Sequence, residues 1–578
     1  MNIAGWTLYN SQLALEVTSH NVSNANTEGY SKQSVEIQAN NPLRMGPGEI
    51  GTGARATEVI RAHDDFISSQ VNDKTSQYYY WQSQSEAMSE IETIFNETGG
   101  TGLNSMMSEF WTAWSALADN PDGTAERESL LAKTGSLLQT MSNMDYDLRE
   151  IQRNLDNNIR GSIGTVNTIT SQIADLNNQI TSVEVDGSVN ANDLRDRRDL
   201  LLNQLSEYMD ITYYEEENSG QVMVYIMGGT PLVLGTNAYT LDDRNDPATN
   251  LTSLVWQDSS GRSVDITNRL EGGRIAGWVD TRDTKIGSYI DSLNTLADEL
   301  AWQVNSLHAD GTGLQSVSSM TGTVGVSATD DLASDFYFSD RYNSGGQFDI
   351  VVYDSSGSVA NTHSISPSGS TVQDLMDAIN GAPELNASLT ADGTFSIQAD
   401  AGYTFAVKPH DGGETSHALA IMGVNTFFSW DEETGQPVRD LTRTLGINAA
   451  LEGNSSLIAA GSVDENNRIA PGDNTMALAI TGLRDAVIPN MGGAGVSTTM
   501  DSFYSSVVAG VGVDVQNAES NETYNGTLLD QYIQKQESVA GVNLDEEMAN
   551  ILKFQHLYQA AAKIISVCDE MMQTLLST

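Results

Sequence analysis

The stretch that most constrains this chain is its last, Val542 to Leu576, because it carries one long apolar stripe at helical spacing. Asn543 suits an N-cap, and Glu546 three residues on would complete a capping box. The clustered acids Asp545, Glu546 and Glu547 suit the positive end of a helix dipole. Leu544, Met548, Ile551, Tyr558, Ala562, Ile565, Cys568, Met572 and Leu575 then recur at spacings near three and four, with Gln555 as the polar interruption. Such a helix would run about 50 Å at 1.5 Å per residue. A stripe of that length needs a cover, supplied either by the chain's own core or by neighbours in an intermolecular coiled bundle.

The other end bears on that choice. Residues 3–20 read as a short amphipathic helix with Ile3, Trp6, Leu13 and Val17 on one side and Asn10 interrupting. It closes in the turn-rich run His20 to Tyr30, which includes Asn24, Thr27 and Gly29. Nested order brings chain ends together, but a helix of that length covers only about 27 Å. Part of the C-terminal stripe is then left for other subunits.

Between the ends, Leu138, Met141, Leu148, Leu155, Ile159, Val166, Ile169, Ile173, Leu176, Ile180 and Val183 keep a heptad register, with Asp145, Gln152 and Ser162 in the polar slots. The pattern lasts about six heptads, a rod of roughly 70 Å. A further helical pattern covers 64–95, and another runs from Gly272 to His308. Ile211–Tyr214, Gln221–Ile226 and Pro231–Leu234 alternate as a small β-meander. From 321 to 431 short strands (Phe348–Tyr353, Phe395–Gln398, Thr404–Lys408) alternate with Ser-Gly and Asp-Gly turns around one helix, Val372–Ile379. Helical pattern is expected to resume after Asp440 and, broken by glycines at 492–495, to continue to the last helix.

The fold class expected is therefore mainly α with β insertions. Coiled terminal helices (1–60 and 540–578) would form an assembly domain. A long α-helical stalk domain (61–320 and 432–539) would carry the β-meander near 211–256, and 321–431 would be a central β-rich, acidic outer insert domain.

Composition narrows the function. At 578 residues the chain exceeds a single core. A net charge of -49, from 77 acidic against 28 basic residues, argues against nucleic acid and against acidic membrane surfaces as partners. Residues 325–430 hold only Arg341 and Lys408 against thirteen acids. The single cysteine, Cys568, rules out an intrachain disulfide and reads as a small hydrophobe of the stripe. No run approaches the roughly 18 apolar residues of a membrane span. The N-terminus has no cleavable-signal pattern, so the chain is read as cytoplasmic or exported without one.

Recognisable chemistry is absent. Gly46-Pro47-Gly48-Glu49-Ile50-Gly51 matches G-x-G-x-x-G, but the next segment, Ala54 to Ile60, reads as a strand rather than a helix facing a pyrophosphate. His410 and His417 with acids between them could hold a metal, although a solvated loop is the plainer reading. No nucleophile elbow stands out. No catalytic, cofactor-binding or metal residue is assigned, no cofactor is expected, and the chain is not read as an enzyme.

Several segments resemble one family. Gly541-Val542-Asn543-Leu544-Asp545-Glu546-Glu547-Met548-Ala549-Asn550 with Tyr558-Gln559-Ala560-Ala561-Ala562-Lys563 is similar to the signature of flagellar axial proteins, in the variant of the hook-associated protein 1 (FlgK) family. Asn21 to Ser31, Gly51-Thr52-Gly53 with Arg61 to Phe66, Asp193 to Asp199 and Val304-Asn305-Ser306-Leu307-His308 resemble the same family, while the insert does so only loosely. Glu28 stands where that motif commonly has proline, and Arg195 where an acidic or polar residue is expected. The terminal motifs alone fit rod, hook or junction proteins, and the internal segments tip the choice to the junction.

The resemblance implies a structural component of the bacterial flagellum, exported unfolded through the type III apparatus and therefore extracellular. It implies an adaptor at the hook–filament junction that polymerises with itself into a helical ring. Hook protein would lie below it and the next hook-associated protein above, and a cytoplasmic export chaperone would cover the C-terminal helix beforehand. The expected assembly interface is Ile3, Trp6, Leu13, Val17, Asn24, Thr27, Gly29 and Tyr30 with Leu544, Met548, Ile551, Tyr558, Ala562, Ile565, Met572 and Leu575. Another axial subunit of hook or filament, or a surface adhesin or enzyme carried by the insert, are the alternatives.

Overall fold

The computed structural model describes residues 2–45, 48–97, 99–185, 189–216, 218–226, 229–258, 260–410, 415–431 and 440–577. Its α-helices in chain order begin with α1 (Asn2–Asn24), α2 (Asp65–Ile94), α3 (Leu103–Asp119), α4 (Thr124–Val183), α5 (Asn192–Tyr208), α6 (Gly273–Val279), α7 (Ile286–Ala309) and α8 (Val372–Asn380). Four short ones follow, α9 (Ala418–Ile421), α10 (Leu441–Thr444), α11 (Ala449–Gly453) and α12 (Thr475–Gly482), and then α13 (Met500–Ala540) and α14 (Leu544–Ser577). The chain divides into two compact units, Met1–Ser89 with Gln152–Thr284 and Asp514–Thr578, and Glu90–Ile151 with Lys285–Val513.

In the first unit the heptad register buries what it predicts. Leu155, Ile159, Val166, Ile169, Ile173, Leu176 and Ile180 are all buried, and only Val183, at the helix end, is exposed. The meander packs on this face: Val222, Val224, Ile226, Leu232, Val233, Leu241 and Leu254 share one core with Ile159 to Ile173, Leu202 and Leu205. Its strands form two antiparallel sheets, Ile211–Glu215 through Asn237–Ala238 and Thr240–Asn245 through Ser263–Asp265.

Polar side chains of α4 then hold the strands in register, because buried amides and carboxylates must find partners. The Asn177 amide donates to the carbonyls of Val222 (2.8 Å) and Gly235 (2.6 Å) and accepts from the Val222 N–H (3.0 Å). Asn167 exchanges a reciprocal pair of 2.8 Å bonds with the backbone of Leu241. Asp156 accepts from the Thr252 N–H at 2.7 Å and pairs with the buried Arg282 at 2.6 Å. Arg282 sits in a π-helical stretch, Asp280–Lys285, which interrupts the single helix expected between Gly272 and His308.

The second unit is built around aromatic side chains. Phe110 and Trp114 of α3 pack on Phe427 and Phe428 with ring centroids 5.1 to 6.4 Å apart. Two three-stranded antiparallel sheets, with Phe348–Tyr353 and Thr394–Ala399 as central strands, carry the short-strand region. All six residues of Phe348–Tyr353 are buried. The Val304–His308 segment docks a returning chain. Asn305 Oδ1 accepts from the N–H groups of Phe427 and Phe428, and its amide donates to the Phe428 carbonyl. Asn425, in the left-handed region at φ 53°, donates to the carbonyls of His308, Ala309 and Gly311 that end α7.

The expectation of helix from Asp440 onward is corrected. Between 441 and 482 only α10, α11, α12 and a single turn at Ser455–Leu457 are helical, and regular helix returns at Met500. Gly453 and Pro471-Gly472 break the pattern, and buried Arg127 takes the carbonyls of Ser455 (3.0 Å) and Ile458 (2.8 Å) that a helix would have used.

Candidate assembly site

Helix α1 ends where Asn24 caps its own last turn, with its amide on the His20 carbonyl at 3.1 Å, and Thr27 and Tyr30 close successive turns. Gly29 takes φ +73°, which an L side chain resists, and a Cβ there would stand 3.1 Å from Cβ of Leu200. This fold-back brings Tyr30, Ser31, Lys32 and Gln33 beside the end of α1. The strand that follows, β1 (Gln33–Ala39), pairs antiparallel with the last of three further strands, β2 (Leu43–Met45), β3 (Gly48–Ile50) and β4 (Ala54–Arg61). Asn10, the polar break in the α1 pattern, exchanges 2.9 Å bonds with the Ala54 carbonyl and the Ala56 N–H and so fastens β4 to the helix.

At the centre of the fold-back lies Asn21, 1% exposed. Its amide donates to the Gln33 carbonyl and to Glu547 Oε2, both at 2.8 Å. Its oxygen accepts from the Gln33 N–H at 2.9 Å and from the Tyr30 hydroxyl at 2.8 Å. Glu547, also 1% exposed, is thus held at the start of α14, with Asn550 at 3.2 Å and Lys32 Nζ at 3.6 Å on its other oxygen. Lys32 reaches Glu546 at 3.0 Å. Against the desolvation that would lower it, Glu546 and Glu547 hold the Lys32 ammonium above the usual lysine value.

A second buried cluster backs the first. Asp196 accepts from the Ser31 N–H and from Arg61, both at 2.9 Å, and Arg61 also pairs with Asp199 at 2.5 Å. Burial outweighs these partners, so the Asp196 carboxyl sits above the usual carboxylate value. Burial, with Asp193, Asp196 and Glu547 nearby, likewise pushes the Tyr30 phenol up. The unexpected Arg195 pairs with Glu184 at 2.9 Å and with Glu215.

Helix α14 packs along α1. The Asn21–Glu547 bond joins the end of one to the start of the other, so the two run antiparallel. Asn543 caps α14 by accepting from the Asp545 and Glu546 N–H groups at 3.0 and 3.3 Å. The expected reciprocal half of a capping box is replaced, because the Glu546 carboxylate turns to Lys32.

Among the buried positions of α1 are the small residues Ala4, Ser11, Ala14 and Thr18, while the larger apolar ones are not buried. Ile3 and Trp6 stay exposed, Leu13, Val17, Asn24 and Tyr30 are half-buried, and Thr27 and Gly29 face solvent. On α14, Ile551, Ala562 and Ile565 are half-buried, whereas Leu544, Met548, Tyr558, Met572 and Leu575 are exposed. Leu575 is 73% and Leu576 86% exposed, and every described residue from Asp569 onward is open to solvent. Together these exposed large apolar residues give α14 a long uncovered apolar surface. The residues that sequence pattern missed are Asn21, Glu547, Arg61 and Asp196.

Met45 and Gly48 pair across the β2–β3 hairpin, with no helix following the glycine run, whose Gly46 and Pro47 lie outside the described residues. His410 binds Asp349 at 2.8 Å, while His417 stands edge-on to Trp302. The segment 411–414 between them lies outside the described residues, and among the described ones no three potential ligands group together.

Comparison with known proteins gives one consistent answer. Residues 88–323 match the flagellar hook-associated protein FlgK helical domain. Residues 534–578 match the flagellar basal body rod FlgEFG protein C-terminal model, and residues 1–30 the flagella basal body rod protein model. The chain is 25% identical over 577 residues to the flagellar hook-associated protein 1 of Salmonella typhimurium, covering 98% of this chain and 97% of that protein. The Bacillus subtilis protein of the same name is also 25% identical, over 98% of this chain and 95% of its own length. In fold, it aligns with the structure of the flagellar hook junction protein FlgK from Burkholderia pseudomallei at a TM-score of 0.51 and 16% identity, over 82% of this chain and 100% of that one.

Proposed function

This chain belongs to the FlgK family of flagellar hook-associated proteins, and from that premise we propose that it is the structural adaptor at the hook–filament junction. One observation carries the assembly part of the reading. The terminal helix pair buries small residues of α1 and a polar Asn21–Glu547 lock, and leaves Leu544, Met548, Met572 and Leu575 exposed. An apolar surface of that kind is covered when copies polymerise and is a hazard when they do not.

In this reading residues 1–60 and 540–578 form the assembly segment, and 61–320 with 432–539 and 321–431 are carried by it. Copies associate with one another, with hook protein on one side and with the next hook-associated protein on the other. Export proceeds through the flagellar type III apparatus, under a chaperone that covers α14. The rod-type matches at both ends suit any axial subunit. The helical-domain match at 88–323 favours the junction over hook or filament.

Gold-labelled antibody on intact cells, with a deletion strain alongside, tests the reading. A narrow band at the distal end of the hook, with filaments lost and flagellin shed on deletion, is the expected result. Label spread along hook or filament would replace the junction with a bulk axial role. Label on the cell body with filaments intact would remove the flagellar role altogether.

A further inference from the structure

Two antiparallel helices that meet through small side chains can slide. Ala4 and Ala14 offer α14 no feature that distinguishes one turn from the next. The two buried hydroxyls of the seam give no direction either, because Ser11 and Thr18 donate to the carbonyls of their own helix, Thr7 and Ala14, at 2.7 Å each. The buried and half-buried apolar residues of α14 past its first turn are Ile551, Phe554, Ala561, Ala562, Ile565 and Cys568, and the spacings of three, four and seven among them recur when the helix is shifted by those steps.

One site on the seam is not permissive. Asn21 uses both amide hydrogens and both lone pairs of its oxygen, and one of those four bonds goes to Glu547. A slip of four residues would set Ile551 against the Asn21 amide, and a slip of seven would set Phe554 there. Either orphans a fully buried amide hydrogen and leaves the Glu547 carboxylate short of a donor.

We propose that Asn21 and Glu547 are the register-determining residues of the terminal helix pair. They choose which turn of α14 lies against which turn of α1, and so fix how far the exposed end beyond Cys568 projects past the start of α1. Both act as positioning residues. The choice is needed because the surface offered to neighbouring copies, Met571, Met572, Leu575 and Leu576 among others, moves bodily with α14. A shift of one heptad would displace it by about 10 Å. The inference concerns the intrachain pair and stands whether or not the assembled object is a junction. The cross-linking below therefore fails or succeeds independently of antibody localisation.

The test is disulfide trapping in the full-length chain, in a Cys568→Ser background, on purified protein and on flagella sheared from a complemented deletion strain. Thr18→Cys with Ile551→Cys, one turn inward from the lock on each helix, reports the observed register. Thr18→Cys with Tyr558→Cys reports a one-heptad slip. With Asn21 and Glu547 in place, the first pair should cross-link and the second should not. The Asn21→Leu/Glu547→Leu double variant keeps the site filled and apolar. It should raise the slipped-to-native cross-link ratio on the order of tenfold or more, with helix content unchanged.

Ile565→Ala is the comparator, weakening the apolar seam while leaving the ratio where it was. An unchanged ratio in the double variant would overturn the proposal. So would an equal rise in Ile565→Ala, since apolar packing would then set the register. Loss of both cross-links with protease-sensitive termini would also overturn it, by showing that the polar pair holds the helices together rather than aligning them.

Discussion

The most informative single perturbation is His308→Gln, because its size and sign follow from where the ring lies. His308 is fully buried, with Nδ1 2.7 Å from the Asn425 carbonyl and Nε2 2.9 Å from the Ala459 N–H. Those partners assign the neutral tautomer, with Nδ1 donating and Nε2 accepting. Desolvation pulls its pKa down to about 4, against the Asn425 carbonyl that would raise it. The unfolded chain, with an ordinary imidazole near 6.5, therefore takes up a proton that the folded chain refuses. Above pH 6.5 both states are neutral and the ring adds no pH dependence. As pH falls, stability is lost, about 2 kcal/mol by pH 5 and about 3 kcal/mol by pH 4.

Asp310 works in the opposite sense, since burial raises its pKa to about 7 and its folded form gains stability as pH falls through 7. The wild-type profile alone is therefore uninformative, and the difference between wild type and His308→Gln is the quantity to measure. Urea unfolding followed by tryptophan fluorescence at pH 8 and pH 5 supplies it. At pH 8 the variant should be less stable, by about 1–3 kcal/mol, for its disturbed packing and hydrogen bonds. By pH 5 that gap should close by about 2 kcal/mol. A gap that is constant or widens on acidification would refute the buried neutral ring.

Gly29→Ala should cost about 1–2 kcal/mol in thermal unfolding of the same chain, from the left-handed backbone and the 3.1 Å approach to Leu200, and no effect would mean the fold-back is not held as described. Arg61→Ala should destabilise by about 3–5 kcal/mol at pH 8 by stranding the buried Asp196, and by less at pH 5, where that carboxyl can protonate; equal losses in urea titrations at both would contradict the charge argument. Met548→Asp and Leu575→Asp, both exposed, should leave the helix content of the purified chain intact and abolish filament formation in a complemented deletion strain, and normal swimming would remove α14 from the interface. Limited proteolysis of the unassembled chain should cut first beyond Cys568, where every described residue is exposed, and resistance there equal to that of α4 would argue that α14 is already covered.

What could be read from the sequence was whatever repeats. The heptads of α4, the stripe of α14 and the alternation in Val222–Ile226 and Thr230–Leu234 each occupy a period that only one kind of element satisfies. The polar lock has no period. Asn21 meets Glu547 across 526 positions and Ser31 meets Asp196 across 165, and among 77 acids neither carboxylate stands apart by type. Resemblance pointed to those segments without saying that they converge. Pattern also failed between 441 and 499, where apolar spacing survives but Arg127, a glycine and a Pro-Gly pair claim the backbone. In α1 the larger apolar residues were read as an interface with other copies, while within the chain the buried positions are the small Ala4, Ser11, Ala14 and Thr18, a difference that side-chain type along one helix does not announce.

Small buried residues and large exposed ones on the same helices separate two tasks. A helix pair held together by its own large apolar residues would be stable alone and would have nothing left to offer. Here the intrachain contact is made with small residues and one saturated polar site, which supply register at little apolar area. Ile3, Trp6, Met548, Leu575 and their neighbours remain outside, where burial is worth about 25 cal/mol per Å² only once another copy arrives. On the proposed reading, the polar lock fixes the geometry before copies meet, and the exposed apolar surface is what would make their assembly favourable. An assembly that works in this way needs those two functions on different residues.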